Sequence, residues 1–421
     1  MSLTAEPAAV APGPPLQVAI VVPRYGPDTH GGAELLCRDL AWRLAEAGHR
    51  VEVLTTCAAD HFTWRNQLPP GRSQDGPVVV RRFPVDDRDL GVHGELERAI
   101  VGGYPLSREE ERLWMRHGVA SLALEDHLAD HLDTLDVVVA APYLFGTTYF
   151  AYEVAAPKLA VVPCLHDEAY ARLAIVGDML RGSRGVLFNA WAEADFARSL
   201  VGEIERWTMV GMGFEPDPVG DAAAFRRRHR LGNGPLLLSV GRREGGKNVP
   251  LLIEHFCRYK HRRGGDLVLV QAGSGDVALP RRPDVVDLKP DWRHRDAMYR
   301  AATVFCQPSV NESLSIVMMQ AWLAERPVLV HGRAAVTRDH CERSGGGLWF
   351  SNYAEFEAVL DRLLADAALR DALGRGGRAY VRSEYSPGAV LERFHAAAYS
   401  WLADTRVTAP VTSRVTAPAV T

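Results

Sequence analysis

LQVAIVVPRYGPDTHGGAELLCRDLAWRLAEAGHRVEVL, residues 16–54, decides the fold. Residues 16–22 form an unbroken apolar run of the length expected for a buried strand. Gly31-Gly32 then breaks the chain. Residues 33–47 repeat their apolar positions with helical spacing, with Leu35, Leu36, Leu40 and Leu44 assigned to one face. Gly48 ends that helix, and VEVL at 51–54 supplies a second strand. Strand, helix and strand in under forty residues is a βαβ unit, which requires a parallel sheet.

The same alternation continues outward. Apolar runs at 136–140, 159–165, 185–188 and 208–210 predict further strands, and the charged, periodic stretch 106–133 predicts helix. Residues 215–234 (EPDPVGDAAAFRRRHRLGNG) are polar and rich in Pro and Gly, and read as a linker with one short helix. A second series follows, with strands at 235–240, 266–271, 285–288, 303–307 and 327–331. Helical patterns lie between and after them at 249–262, 295–302, 313–324 and, with a break, 353–382. Ser386 and Pro387 start a last helix as N-cap and first helical residue. The fold class is therefore α/β: two Rossmann-like domains with parallel sheets facing across a cleft. The domains divide at 16–214 and 215–386, with a final helix over 387–404. Residues 1–15, with four prolines and no basic residue, read as a disordered leader. Residues 405–421, which state RVTAP twice, read as a disordered tail.

Composition narrows the class. The chain has 421 residues, with 48 Lys+Arg against 52 Asp+Glu and a net charge of −4. That length suits two or three domains, and the charge balance argues against nucleic acid as a partner. No apolar run approaches the roughly 18 residues of a membrane span. The six cysteines lie far apart without CxxC or zinc-knuckle spacing, as expected of free thiols in the cytoplasm.

Four features sit where such sheets place ligands, at the carboxyl ends of strands. Gly31-Gly32 opens a helix whose free N–H groups suit an anion or hydroxyl; alone, it is as readily a simple turn. No GxGxxG is present, so a dinucleotide loop is unsupported. Arg242 and Lys247 follow the first strand of the second domain and offer a donor fork and a mobile charge to a diphosphate; the bland alternative is two solvated cations beside Arg243 and Glu244. PSVNESLS at 308–315 places Glu312 to bond a sugar hydroxyl, with following amides aimed at a phosphate. Gln320, eight residues on, falls on nearly the same helix face. The bland alternative is a Glu that merely charges a helix start. His166, in HDE at 166–168, ends a strand and is read as a substrate contact or proton relay, against a satisfied structural histidine.

Together these features resemble glycosyltransferase family 4, retaining enzymes of the GT-B fold that use nucleotide-sugar donors. The resemblance spans residues 16–402 and rests on GGAELLCRDLAWRLAEAGHRVEVLTT, VGRREGGK, and PSVNESLSIVMMQAW followed by RPVLV. The family's second signature glutamate is replaced here by Gln320. The resemblance implies that Arg242 and Lys247 neutralise the donor diphosphate and that Glu312 bonds the transferred sugar. Ser309 and the backbone around Leu314, Ser315 and Ile316 would support the phosphate, and Gln320 would face the nucleotide ribose. His166 would lie beside the donor sugar, and Gly31-Gly32 close to the diphosphate and acceptor. In this fold the last helix crosses back onto the first domain, and no metal or cofactor is used. Asp87-Arg88-Asp89 spells the metal-binding DxD of GT-A enzymes, but by chance and in a presumed loop.

The implied partners are a nucleotide sugar, with UDP or GDP favoured, and an acceptor: a glycan, a lipid-linked glycan or a small natural product. Two rival classes stand beside this reading. One is a nucleotide-sugar-binding protein with weakened catalysis, suggested by Gln320; the other is a GT-B sugar-nucleotide epimerase. The basic run 226–230 reads as a solvated helix face, with peripheral contact to an anionic membrane as the sharper alternative. Trp42, Trp114 and Trp322 read as core; Trp64 and Trp292 are acceptor-side candidates. Oligomeric state is not legible.

Overall fold

The computed structural model describes residues 13–29, 31–215, 218–289 and 294–404; Trp292, nearly all of the expected leader and the expected tail lie outside them. The first half builds an eight-stranded sheet. Its strands are β1 (Gln17–Val21), β2 (Arg50–Thr56), β3 (Gly71–Asp75), β4 (Val78–Phe83), β5 (Val137–Ala140), β6 (Leu159–Val161), β7 (Gly185–Phe188) and β8 (Trp207–Met209). They run in the order β3-β4-β2-β1-β5-β6-β7-β8, and only β3 is antiparallel to its neighbour. Val18, Ile20, Val53 and Val139 are fully buried, as a sheet covered on both faces demands.

The edge pair β3–β4 and the helix Leu90–Val101 were not anticipated. β3 reads GRSQD, with no apolar alternation, and it is held by side chains of the first helix. Asp75 accepts from Arg38 Nε at 2.8 Å and from Trp42 Nε1 at 3.0 Å. That helix spans Gly32–Glu46 and buries Leu36, Cys37, Leu40, Ala41 and Leu44. Leu35, expected on the same face, is only half-buried, because the buried stripe is completed by the small residues beside the leucines. The expected helix 106–133 is two, Arg108–His117 and Leu122–His131. Gly118 stops the first, and Ser121 caps the second by accepting from Leu124 N.

The second half forms six parallel strands: β9 (Leu236–Val240), β10 (Val268–Ala272), β11 (Val285–Leu288), β12 (Val304–Gln307), β13 (Val328–His331) and β14 (Gly347–Phe350). Their order is β11-β10-β9-β12-β13-β14. β14, GLWF, was missed because it is a four-residue run behind Gly345-Gly346. Asp366 caps the second of the two helices, Tyr353–Ala365 and Ala367–Glu384, that follow. In the basic run, Arg227 and Arg228 are solvated as expected. Arg226 instead folds back to bond the carbonyls of Ala301 and Gly234.

The last helix, Pro387–Ala403, returns to the first half. Ser386 caps it through Ala389 N. His395 Nε2 meets His49 Nε2 at 2.7 Å, Tyr399 donates to Pro14 O at 2.9 Å, and Trp401 packs over Gly185. A Cβ at Gly185 would lie 2.4 Å from that indole, so glycine is required for this close approach. Both crossings between halves meet at Tyr385, whose carbonyl accepts from Phe214 N and whose hydroxyl donates to Asn189 O.

Candidate functional site

The carboxyl ends of β9, β10 and β11 lock into one surface through backbone bonds. Gly241 N donates to Ala272 O, Arg243 N to Ser274 O, and Gly273 N to Leu288 O. Cβ atoms at Gly273 and Gly275 would lie 1.8 and 2.2 Å from the Gly241 and Arg243 carbonyl oxygens, so only glycine lets the loops touch. Arg243 supports this surface by donating to Gly273 O and Val277 O, which leaves Arg242 as the cation on its outside. Arg242 pairs with Glu244 at 2.9 Å and reaches His61 of the first half at 3.4 Å.

Lys247 ends a single turn, and Asn248 takes the left-handed conformation that starts the next helix. Asn248 Nδ2 donates to Pro308 O, which ties this loop to the one after β12. There Lys247 Nζ and Gln307 Nε2 both donate to Glu312 Oε1, at 2.8 and 2.7 Å. Only 10% of the Glu312 side chain is exposed. Burial works to raise its carboxyl, but Lys247 first, then His166 and Ser309, outweigh that and hold it below the ordinary carboxylate value.

The helix expected from residue 313 begins instead at Ile316, because Ser315 sits in the left-handed region (φ 67°). Glu312 is thus on the loop, and the shared helix face expected for Glu312 and Gln320 does not exist. Gln320 Oε1 accepts from the buried Tyr299 hydroxyl at 3.0 Å. Leu314 and Ser315 are buried, Ser309 Oγ donates to Asn311 O, and Ser315 Oγ is buried without a partner among the described residues. The amides of Ser315, Ile316 and Val317 donate to no group among the described residues. These are the orphan donors of a helix start, a ready anion site.

In the first half, Gly31 caps the helix that begins at Gly32. A Cβ at Gly31 would lie 1.9 Å from Glu34 Oε2, and Glu34 cannot swing aside without losing Arg24, whose Nε donates to it at 3.0 Å. Arg24 also lies over the Trp64 ring, so Trp64, 9% exposed, packs under the loop and is no open platform. His166 Nδ1 is 3.7 Å from Glu168 Oε1, which accepts from the Tyr143 hydroxyl at 2.6 Å. Burial favours a raised Glu168 carboxyl, but the bonds from His166 and Tyr143 prevail and lower it. Asp89 of the DxD tripeptide spends its carboxylate on Gly91 N and Val92 N as a helix cap. Trp114 and Trp322 are core.

The structure thus brings Lys247, Gln307 and Glu312 together, followed by the amides of Ser315, Ile316 and Val317, and sets Arg242 against Glu244 and His61; His166 lies beside Glu168 in the other half, and Gln320 beside Tyr299. Gln307 and Asn248 at the loop after β12, His61 beside Arg242, and the Gly273/Gly275 pair against Gly241 and Arg243 were not anticipated. A glycine pair directly after a strand, as at 273–275, is the one signal that repeats the Gly241 pattern.

Residues 234–366 match the family model for glycosyl transferases group 1. D-inositol 3-phosphate glycosyltransferase of Acidothermus cellulolyticus is 26% identical over 90% of this chain and 89% of its own. Sucrose-phosphate synthase from Thermosynechococcus elongatus superposes with a TM-score of 0.69 at 17% identity, over 91% of this chain and 98% of that one. Anabaena HepE, in complex with UDP and glucose, gives 0.66 at 14% identity over 91% and 100%. Two parallel-sheet α/β halves of this kind are the GT-B fold. No helix among the described residues is long and apolar enough to cross a membrane. The matched segment, the relatives and the shared architecture together support a GT-B glycosyltransferase of group 1.

Proposed function

We propose that this protein is a retaining, metal-independent glycosyltransferase of family 4, acting in the cytoplasm. It moves a hexose-like sugar from a nucleoside-diphosphate sugar, UDP or GDP, to a glycan, lipid-linked glycan or small-molecule acceptor. The first half (16–214) takes the acceptor and the second (215–386) the donor. The observation that carries this reading is the Lys247–Glu312 pair at 2.8 Å, set beside free helix-start amides and across from His166. HepE, solved with UDP and glucose, shares the fold and adds support for the donor class.

The chemistry follows from the charges. Lys247 has three N–H donors and gives one to Glu312, which leaves two for phosphate oxygens. Arg242, on the same face, adds a fork of donors, and the amides of Ser315 and Ile316 close the cradle. As the sugar leaves, positive charge grows at its anomeric carbon and negative charge on the departing diphosphate. Fixed cations stabilise that separated state more than the bound donor, and this difference is the catalysis. Glu312, kept ionised by Lys247, accepts a hydrogen bond from a hydroxyl of the sugar and orients it. The acceptor attacks from the leaving-group face, and the phosphate oxygen takes its proton. His166 lies on the sugar's other side. Gln320 presents its amide to the nucleotide.

A thermal-shift panel of UDP, GDP, ADP and dTDP sugars tests the donor, and NMR of the product anomer tests retention. Stabilisation by one nucleotide series and a product of unchanged configuration are expected. An inverted product, or no shift from any donor, contradicts the reading.

A further inference from the structure

Glu193 is a buried carboxylate for which the transfer chemistry has no use. It is the third residue of the helix Trp191–Val201 and is 1% exposed. Its two oxygens diverge. Oε2 accepts from Asn189 N at 2.6 Å, just before its own helix, while Oε1 accepts from Leu165 N at 2.6 Å, in a segment 28 residues away. Among the described residues it forms no ion pair. Burial works to raise its carboxyl, and the backbone bonds from Asn189, Leu165 and Ala190, which take its oxygens as acceptors, oppose that.

Leu165 is the residue before His166. Cys164, before it, has φ 52°, a left-handed conformation that costs a non-glycine residue on the order of 1 kcal/mol or more. Asn189 Nδ2 also reaches Cys164 Sγ, at 3.6 Å. The strained turn that aims His166 into the cleft is thus gripped from beneath by one carboxylate and its neighbour.

We infer that Glu193 is a positioning residue: it holds the Cys164–Leu165 turn in its left-handed form and thereby fixes His166 opposite Glu312. The inference rests on the reading of His166 as part of the sugar site. Helix capping alone does not account for the geometry. A third-position Glu or Gln caps equally well with one oxygen, whereas here two N–H donors from separate segments need two acceptors. A glutamine would meet one of them with its own N–H.

The test is Glu193→Gln in the full chain. Hydrogen exchange of residues 164–168 should quicken about tenfold, the factor one lost backbone-to-carboxylate bond corresponds to, while β1, β2 and β5 keep wild-type rates. Sugar release from the nucleotide should fall about 10- to 100-fold in kcat with donor KM and UDP affinity unchanged, since the nucleotide side lies in the other half. Adding Cys164→Gly, which accepts φ 52° without strain, should recover much of both losses. Wild-type exchange at 164–168, uniform quickening of the whole sheet, or kcat and KM both at wild-type values would overturn the inference. A wild type that turns over no nucleotide sugar sinks the transferase reading, while the exchange result still decides whether Glu193 grips the turn.

Discussion

In the half built on β9–β14, charged and polar side chains meet face to face: Lys247 and Gln307 on Glu312, and Arg242 on Glu244. In the half built on β1–β8, the cleft residue His166 touches Glu168, and its position is set from below by buried groups, Tyr143 and Glu193. Both halves repeat strand and helix, yet one makes a site from converging charges and the other from a supported backbone turn. The contrast teaches where damage should appear. Removing a charged side chain of the second half's site should strike turnover with little effect on folding. Substitution beneath the first half's loop should disturb the placement of His166 and loosen the turn locally, while the sheet keeps its protection.

The largest effect is expected at the charges. Lys247→Ala should lower kcat on the order of 10²–10³, as loss of one preorganised donor to developing charge does, with an unfolding midpoint near wild type. A fall in stability without a fall in turnover would erase the distinction between the halves. Gly273→Ala should come next. Its Cβ would strike the Gly241 carbonyl, so the interlocked loops must separate, at a cost of about 2–3 kcal/mol in stability and more than about tenfold in nucleotide affinity. Calorimetry and a nucleotide titration measure the two losses, and unchanged affinity would show that the loop contact plays no part in the donor surface.

Most of this was legible in residue order, for reasons that differ between elements. β1, β2, β5 and β7 are buried runs, and every expected strand was found within a few residues. The edge pair β3–β4 and β14 escaped: β14 is a four-residue run behind two glycines, and β3, which has no apolar alternation, survives on the grip of Asp75 by Arg38 and Trp42, a contact between residues more than thirty apart. Arg242, Lys247 and Glu312 stand at strand ends, so their convergence could be anticipated from topology. The left-handed Ser315 could not, and it moved Glu312 off the helix and away from Gln320. His61 and Glu193 were invisible for the same reason: each matters through a partner far along the chain.

Smaller effects sharpen the comparison. Gln320→Glu should tighten donor binding several-fold at most, about 1 kcal/mol, because a charged acceptor bonds ribose hydroxyls better than an amide while Tyr299 keeps its partner. A large loss of activity there would move Gln320 off the nucleotide. The smallest effect concerns the returning helix. His49 Nδ1 accepts from Leu16 N at 3.0 Å, so its proton sits on Nε2 and points at His395 Nε2. Burial lowers both imidazoles, and neither can take a second proton without breaking this chain of bonds. Their contribution is therefore full above the unfolded histidine value of about 6.5 and is lost as pH falls below it, through the lower folded values. Thermal unfolding at pH 7.5 and 5.5 should show a decline in stability toward the lower pH that His395→Gln reduces. An identical decline in the variant would remove the pair as its cause.

The central claim is that a nucleotide diphosphate lies against Lys247, Arg242 and the amides that follow Glu312. Calorimetric titration of UDP and GDP into the wild-type chain and into Lys247→Ala tests it most directly. The account predicts saturable binding of one of them by the wild type and affinity weakened about tenfold or more in the variant. Equal affinity in both proteins, or no binding of either nucleotide to the wild type, would contradict it.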